Sequence, residues 1–260
     1  MRRISTSLLL ACAAALCLGS TLARAEDEKP AVSIKTKYVE IEVTIEKALR
    51  AYPEFYSKLL ADGKKYAADN QKEALDAWMA DPASFRGMAW TFDRGYRLRA
   101  AAGPYVSVLI DDGEFTGGAH PVSHLSTRLW NREANRDADM ETLFREIGEN
   151  GPTATALAKL VRDAIIEEKK KRDVPIDEET DRWLEPIKAD FSSLGAPSLA
   201  PSTAAGHSSG LTFHFSPYAI GPYAEGSYTI FVPFAPFASY LTDDAKKIFA
   251  GDRPKSYEDE

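Results

Sequence analysis

Between Val39 and Glu46 apolar and polar residues alternate one for one: Val39, Ile41, Val43 and Ile45 against Glu40, Glu42, Thr44 and Glu46. That is the period of a half-buried strand. At Pro53 the period lengthens. Phe55, Leu59, Leu60, Ala67, Ala74, Leu75, Trp78 and Met79 recur at helical spacing, with Pro53 in the first turn, Gly63 a candidate break and Asp81-Pro82 the stop. Met88–Ala100 and Tyr105–Ile110 read as an antiparallel pair turned at Ala102-Gly103-Pro104, and Val122–Trp130 as the next strand. Ala138–Ile147 reads as a turn with a short helix. Thr153–Lys171 is a stronger helix, with Leu157, Leu160, Val161, Ala164 and Ile165 on one stripe. Its charged end, Glu167–Arg172, reads as a solvated last turn whose cations sit near the negative end of the helix dipole. A short helix is expected around Trp183, a loop over Pro197–Gly210, strands over Leu211–Phe215 and Tyr228–Val232, and a last helix over Ala235–Phe249. Helices segregated from antiparallel strands predict an α+β fold, an antiparallel sheet with helices packed on one side. The expected organisation is a smaller N-terminal α/β part over residues 26–103, a second α+β domain over 104–251 and a disordered tail over 252–260.

The ends change the picture. Arg2 and Arg3 precede an apolar run from Leu8 to Leu18, and Ala23-Arg24-Ala25 precedes Glu26-Asp27-Glu28-Lys29. This is the pattern of a secretory signal peptide over residues 1–25. The localisation expected is periplasmic or secreted; the alternative is a lipoprotein acylated at Cys12. Both cysteines, Cys12 and Cys17, lie in the leader, so the mature chain has no disulfide and no thiolate chemistry. Nothing after the leader is apolar for long enough to span a bilayer. Losing Arg2, Arg3 and Arg24 lowers the basic count from 32 to 29 against 39 acidic residues, a surplus of ten negative charges. Nucleic acid and anionic lipid are disfavoured as partners, and cationic proteins are attracted.

Candidate chemistry is sparse. Gly206-His207-Ser208-Ser209-Gly210 has the spacing of a nucleophile elbow, but a Pro/Ser/Ala loop precedes it and a strand follows, so a structural turn is expected. His120 and His124, with Asp111, Asp112 and Glu114 upstream, are the residues from which a metal site could be built; solvated turn carboxylates beside a structural histidine is the favoured reading. No metal, cofactor or catalytic residue is assigned. Gly117-Gly118-Ala119-His120-Pro121 is more informative: the glycines permit positive φ, and Pro121 holds His120 toward extended geometry, fixing the imidazole at a sharp corner. That corner is either a buttress or a ligand-facing site. Tyr218 and Tyr223, in the Pro/Gly-rich segment that ends at Gly226, are either anchors of a loop or a contact surface.

At these two segments the chain resembles the extracellular domain found in RsiV-type anti-sigma factors and beside the catalytic domain of PdaC-type peptidoglycan deacetylases. The marks are Gly117-Gly118-Ala119-His120-Pro121 after an antiparallel pair, and Pro217-Tyr218 with Pro222-Tyr223-Ala224-Glu225-Gly226 before a final strand and helix. Ala219 and Gly221 stand where Glu and Ala are expected. The resemblance covers roughly residues 105–249. It implies an α+β module outside the cytoplasm that binds a cell-wall glycan or a lysozyme-like protein, through Gly117, Gly118, His120, Pro121, Tyr218, Tyr223 and Gly226. The alternatives are an envelope hydrolase using His120 with nearby carboxylates, and a structural or assembly factor with no small ligand.

Overall fold

The computed structural model describes residues 29–255 and Tyr257; the leader, with its alternative at Cys12, lies outside the described residues. A six-stranded sheet is built in chain order from β1 (Val32–Lys35), β2 (Val39–Ile45), β3 (Trp90–Ala102), β4 (Tyr105–Phe115), β5 (Val122–Asn131) and β6 (Arg136–Ala138). Neighbours are antiparallel except β2 and β3. That parallel step needs a long crossover, which is supplied by helix α1 (Pro53–Ala80). The helix runs through Gly63 without a break, and glycine is needed there for space, since a Cβ would meet Val43 Cγ1 at 2.6 Å.

Alternation in β2 is strict. Val39, Ile41, Val43 and Ile45 are buried under α1 with Phe55, Leu59, Ala67 and Ala74, while Glu40, Glu42 and Thr44 face away. A second core lies against the opposite face of β3–β5. It gathers Ala100, Ala102 and Leu129 from those strands with Leu157, Val161 and Ile165 of α2 (Pro152–Lys171) and Leu211, Phe213, Tyr228 and Ile230 of a second sheet. That sheet is antiparallel, ordered β7 (Ala196–Leu199), β8 (Gly210–Phe215) and β9 (Tyr228–Pro233). The mixed α+β fold with antiparallel-rich sheets agrees with the sequence reading. The division expected between residues 103 and 104 falls at the tip of the β3–β4 hairpin.

Four local differences have physical causes. Ala196–Leu199 is a strand inside the expected loop; its edge position tolerates Pro197, which cannot donate to a ladder. The last expected helix is broken into a 3-10 turn (Ala235–Tyr240) and a short α-helix (Asp243–Lys246), because Leu241 is extended and pairs with Phe144, and Thr242 starts a new cap on Ala245 N–H. The turn and short helix expected over Ala138–Ile147 shrink to a 3-10 turn (Met140–Leu143), because Ala138 closes the short strand β6 against Leu129. Residues 252–255, grouped with the C-terminal tail, keep contact with the body: the Thr203 N–H donates to Asp252 O at 2.8 Å and Arg253 lies 4.9 Å over the Phe231 ring.

Candidate functional site

Two hairpin loops meet at one exposed corner. The first, residues 116–121, joins β4 to β5; Gly117 and Gly118 take φ of +103° and +116°, with nothing within 4 Å of where a Cβ would stand, so glycine is needed there for the backbone turn and not for space. The second, residues 216–227, joins β8 to β9. Its first turn is closed by Ala219 N–H on Ser216 O, and the Ser216 hydroxyl accepts the Leu125 N–H of β5 at 2.8 Å, which ties the two hairpins together.

His120 and Tyr218, 98 residues apart in sequence, meet through Nε2 and the phenol oxygen at 3.2 Å. The imidazole stacks on Tyr223 with ring centroids 3.8 Å apart and planes 20° from parallel, and Tyr218 lies 5.6 Å from Tyr223. His120 Nδ1 stands 2.9 Å from Pro121 O. A carbonyl only accepts, so the proton is on Nδ1 and the Nε2 lone pair accepts from Tyr218. Among the described residues no carboxylate hydrogen-bonds the ring. Tyr218 is 53% exposed and holds a left-handed φ of +70°, a costly backbone for a tyrosine that the surrounding turn must enforce. Gly226, at φ +72°, closes the one-turn helix Tyr223–Glu225. The sequence-derived site residues are therefore brought together, Gly117, Gly118 and Gly226 as shapers and His120, Tyr218 and Tyr223 as a ring cluster.

What sequence reasoning missed lies beneath that cluster. Lys169, placed there in a solvated last turn, is only 1% exposed: its Nζ is 2.5 Å from Glu225 Oε2 and 3.4 Å from the Tyr228 hydroxyl, which donates to the same carboxylate. The helix stripe extends one turn further than its apolar residues show, because a long lysine can bury its stem and pair its end. Arg172 stacks 4.0 Å over Tyr228 and donates to Ser227 O at 2.9 Å. Burial and the Glu225 carboxylate push the Tyr228 hydroxyl above its usual range. Gly221 gives this pair its room: a Cβ would stand 2.3 Å from Glu225 Oε2 and 2.9 Å from Lys169 Nζ. The tyrosine loop is thus clamped to the end of α2.

The other candidates go elsewhere. Asp111 and Asp112, being neighbours on a strand, face opposite sides; Asp112 receives a bidentate Arg94 at 2.6 Å and Asp111 pairs with Arg97. Arg94 also reaches Asp62 of α1 at 3.0 Å, and Tyr96 donates to that same carboxylate. His124 stands opposite Asp112 in the β4–β5 ladder, away from the His120 corner. Ser208 is fully buried and its hydroxyl bonds Ala200 O and Gly210 O at 2.9 and 2.7 Å, so it laces a turn. His214 is buried with Nε2 2.9 Å from Ser198 Oγ; burial first, then the charges of Arg99 and Arg97, push its pKa down to about 3.

No curated protein matches the chain. Two crystal structures of DUF3298 family proteins are similar in fold: one from Bacteroides fragilis, 14% identical, covering 82% of this chain and 92% of that one at a TM-score of 0.51, and one from Pseudomonas aeruginosa, 12% identical, covering 84% and 90% at 0.51. In sequence, residues 148–235 match the model of the family described as "Protein of unknown function (DUF3298)". That span runs from α2 into the start of the last 3-10 turn, so it includes Lys169 and the whole tyrosine loop and leaves out His120.

Proposed function

We propose that this chain is an exported binding module, periplasmic or secreted, that presents the His120–Tyr218–Tyr223 cluster to a cell-wall glycan or a lysozyme-like protein. The observation that carries the reading is the way His120 is held. Its Nδ1–H is taken by Pro121 O and its Nε2 by the Tyr218 hydroxyl, with Tyr223 stacked on its face and, among the described residues, no carboxylate to orient it as a base. Aromatic rings fixed by tight turns, Tyr218 exposed and His120 and Tyr223 half-buried, provide contact area at little entropic cost, as binding surfaces require. The leader-like pattern of residues 1–25 and the resemblance to the RsiV and PdaC extracellular domains supply the compartment and the ligand classes. The acidic surplus of the mature chain favours a cationic partner.

The test is titration of the mature protein with lysozyme and, separately, with soluble peptidoglycan fragments, using His120→Ala and Tyr223→Ala beside the parent. Each variant should bind more weakly by about 1–3 kcal/mol as a central contact, with thermal unfolding changed less than by a core truncation because neither ring is fully buried. Lysozyme binding should also weaken as salt rises. Unchanged affinity with a large loss of stability would make the cluster a structural buttress. An intact mass beginning at Glu26 is the accompanying expectation for export; a diacylated Cys12 would assign the lipoprotein form instead.

A further inference from the structure

The large sheet has an unfinished edge. Its last strand, β6, is three residues long and pairs with Leu129, Trp130 and Asn131, so among the described residues β5 has no strand ladder on its outer side from Val122 to Arg128; side-chain bonds stand there instead, the Leu125 N–H on Ser216 Oγ and the Thr127 hydroxyl on Pro197 O. After Ala138 the chain leaves the sheet at Asp139 and enters a 3-10 turn (Met140–Leu143). Backbone groups of alternate residues point to the same side of a strand. Leu125 directs its N–H outward to Ser216, and Leu129 pairs outward with Ala138, so Thr127, between them, directs its N–H and C=O outward as well. Beside Thr127 a cleft of about 520 Å³ opens between this edge and the segment from Phe191 to Pro197. Leu129, Met140 and Phe191 form an apolar floor, and Asp137, Asp139 and Glu141 stand at its rim. Arg128 neutralises Asp137, whereas the Glu141 carboxylate accepts no hydrogen bond or ion pair among the described residues; burial and the charges of Asp139 and Asp190 raise its pKa.

We propose that this edge is a docking site for an extended, cationic polypeptide segment, which adds to β5 at Thr127 in the line that β6 leaves. An unpaired edge supplies main-chain hydrogen bonds, and the pleat sends alternate side chains of the added segment to opposite faces. Apolar side chains would lie on the Leu129–Met140–Phe191 floor, and basic ones would reach the rim carboxylates. The site is separate from the ring cluster: the cleft beside Thr127 is lined by none of His120, Tyr218 and Tyr223.

An alternating Lys–Val peptide, its backbone N-methylated counterpart and an alternating Glu–Val peptide are the probes, with hydrogen exchange of the isotopically labelled mature protein as the readout. The Lys–Val peptide should slow exchange of the Thr127 N–H by roughly tenfold or more. N-methylation should abolish the effect, the Glu–Val peptide should not bind, and Glu141→Gln should weaken the Lys–Val peptide several-fold. Equal binding of the N-methylated peptide would reduce the site to charge attraction and overturn strand addition. Failure of the Lys–Val peptide to bind would overturn it too. Protection of Thr127 without peptide, together with a doubled sedimentation mass, would give the edge to a second copy of the chain and overturn the partner assignment.

Discussion

His214 shows how a single burial decides a protonation state. The ring is 1% exposed, one nitrogen faces Ser198 Oγ, and Arg97 and Arg99 add positive charge around it. The neutral form is therefore the folded form, with a pKa near 3 against about 6.5 in the unfolded chain. A depressed histidine pKa stabilises the fold fully above the unfolded value. The contribution is lost as pH falls from about 6.5 toward 3, since the unfolded state takes up a proton that the folded state refuses. Urea unfolding between pH 6.5 and 4.5 should show the parent losing about 1.4 kcal/mol per pH unit more than His214→Gln, which has no proton to gain. Parallel pH profiles for the two proteins would mean that His214 titrates normally in the fold.

At the scale of elements, the tyrosine loop and α2 act through the Lys169–Glu225–Tyr228 group. Lys169→Met leaves Glu225 without its cation in a nearly closed site and should cost about 3–5 kcal/mol. The double variant Lys169→Met with Glu225→Gln removes the charge as well and should recover a large part of that loss, read as the melting temperature of the singles against the double. If the double is as unstable as Lys169→Met alone, packing and not charge holds the loop. This clamp was illegible in the sequence, where Glu167–Arg172 has the composition of a solvated helix end and Glu225 lies 56 residues away from Lys169. Regular elements were legible because their periods are local: β2 by strict alternation, α1 and α2 by helical stripes. Elements fixed by partners were not. Ala196–Leu199 is a strand only because β8 pairs with it, and the last helix breaks only because Leu241 pairs with Phe144. The site was half legible. Glycine, proline and aromatic residues marked both loops, but the stacking of His120 on Tyr223 depends on two hairpins meeting in space.

For the molecule as a whole, strands β3, β4 and β5 form a wall between two cores. Ala102 and Leu129 face α2 and the second sheet, while Val106, Val108 and Trp130 face α1. Neither core closes without that wall, so denaturant unfolding should follow one transition by every probe. Two separated transitions would show that the cores are independent. The β3–β4 turn where the chain crosses from one side to the other has an exposed tip at Gly103 that is nonetheless held by tertiary contacts. Gly103 N–H donates to Gly206 O, and a Cβ on Gly103 would meet Ile248 Cγ2 at 2.6 Å. A polypeptide severed between Gly103 and Pro104 would therefore yield two pieces that are each half of one sheet. Separately they have no complete interior to close around. Mixed, they should reassemble into the native fold by completing the β3–β4 ladder across the gap, which makes that hairpin tip the natural cut site for a split-protein reporter.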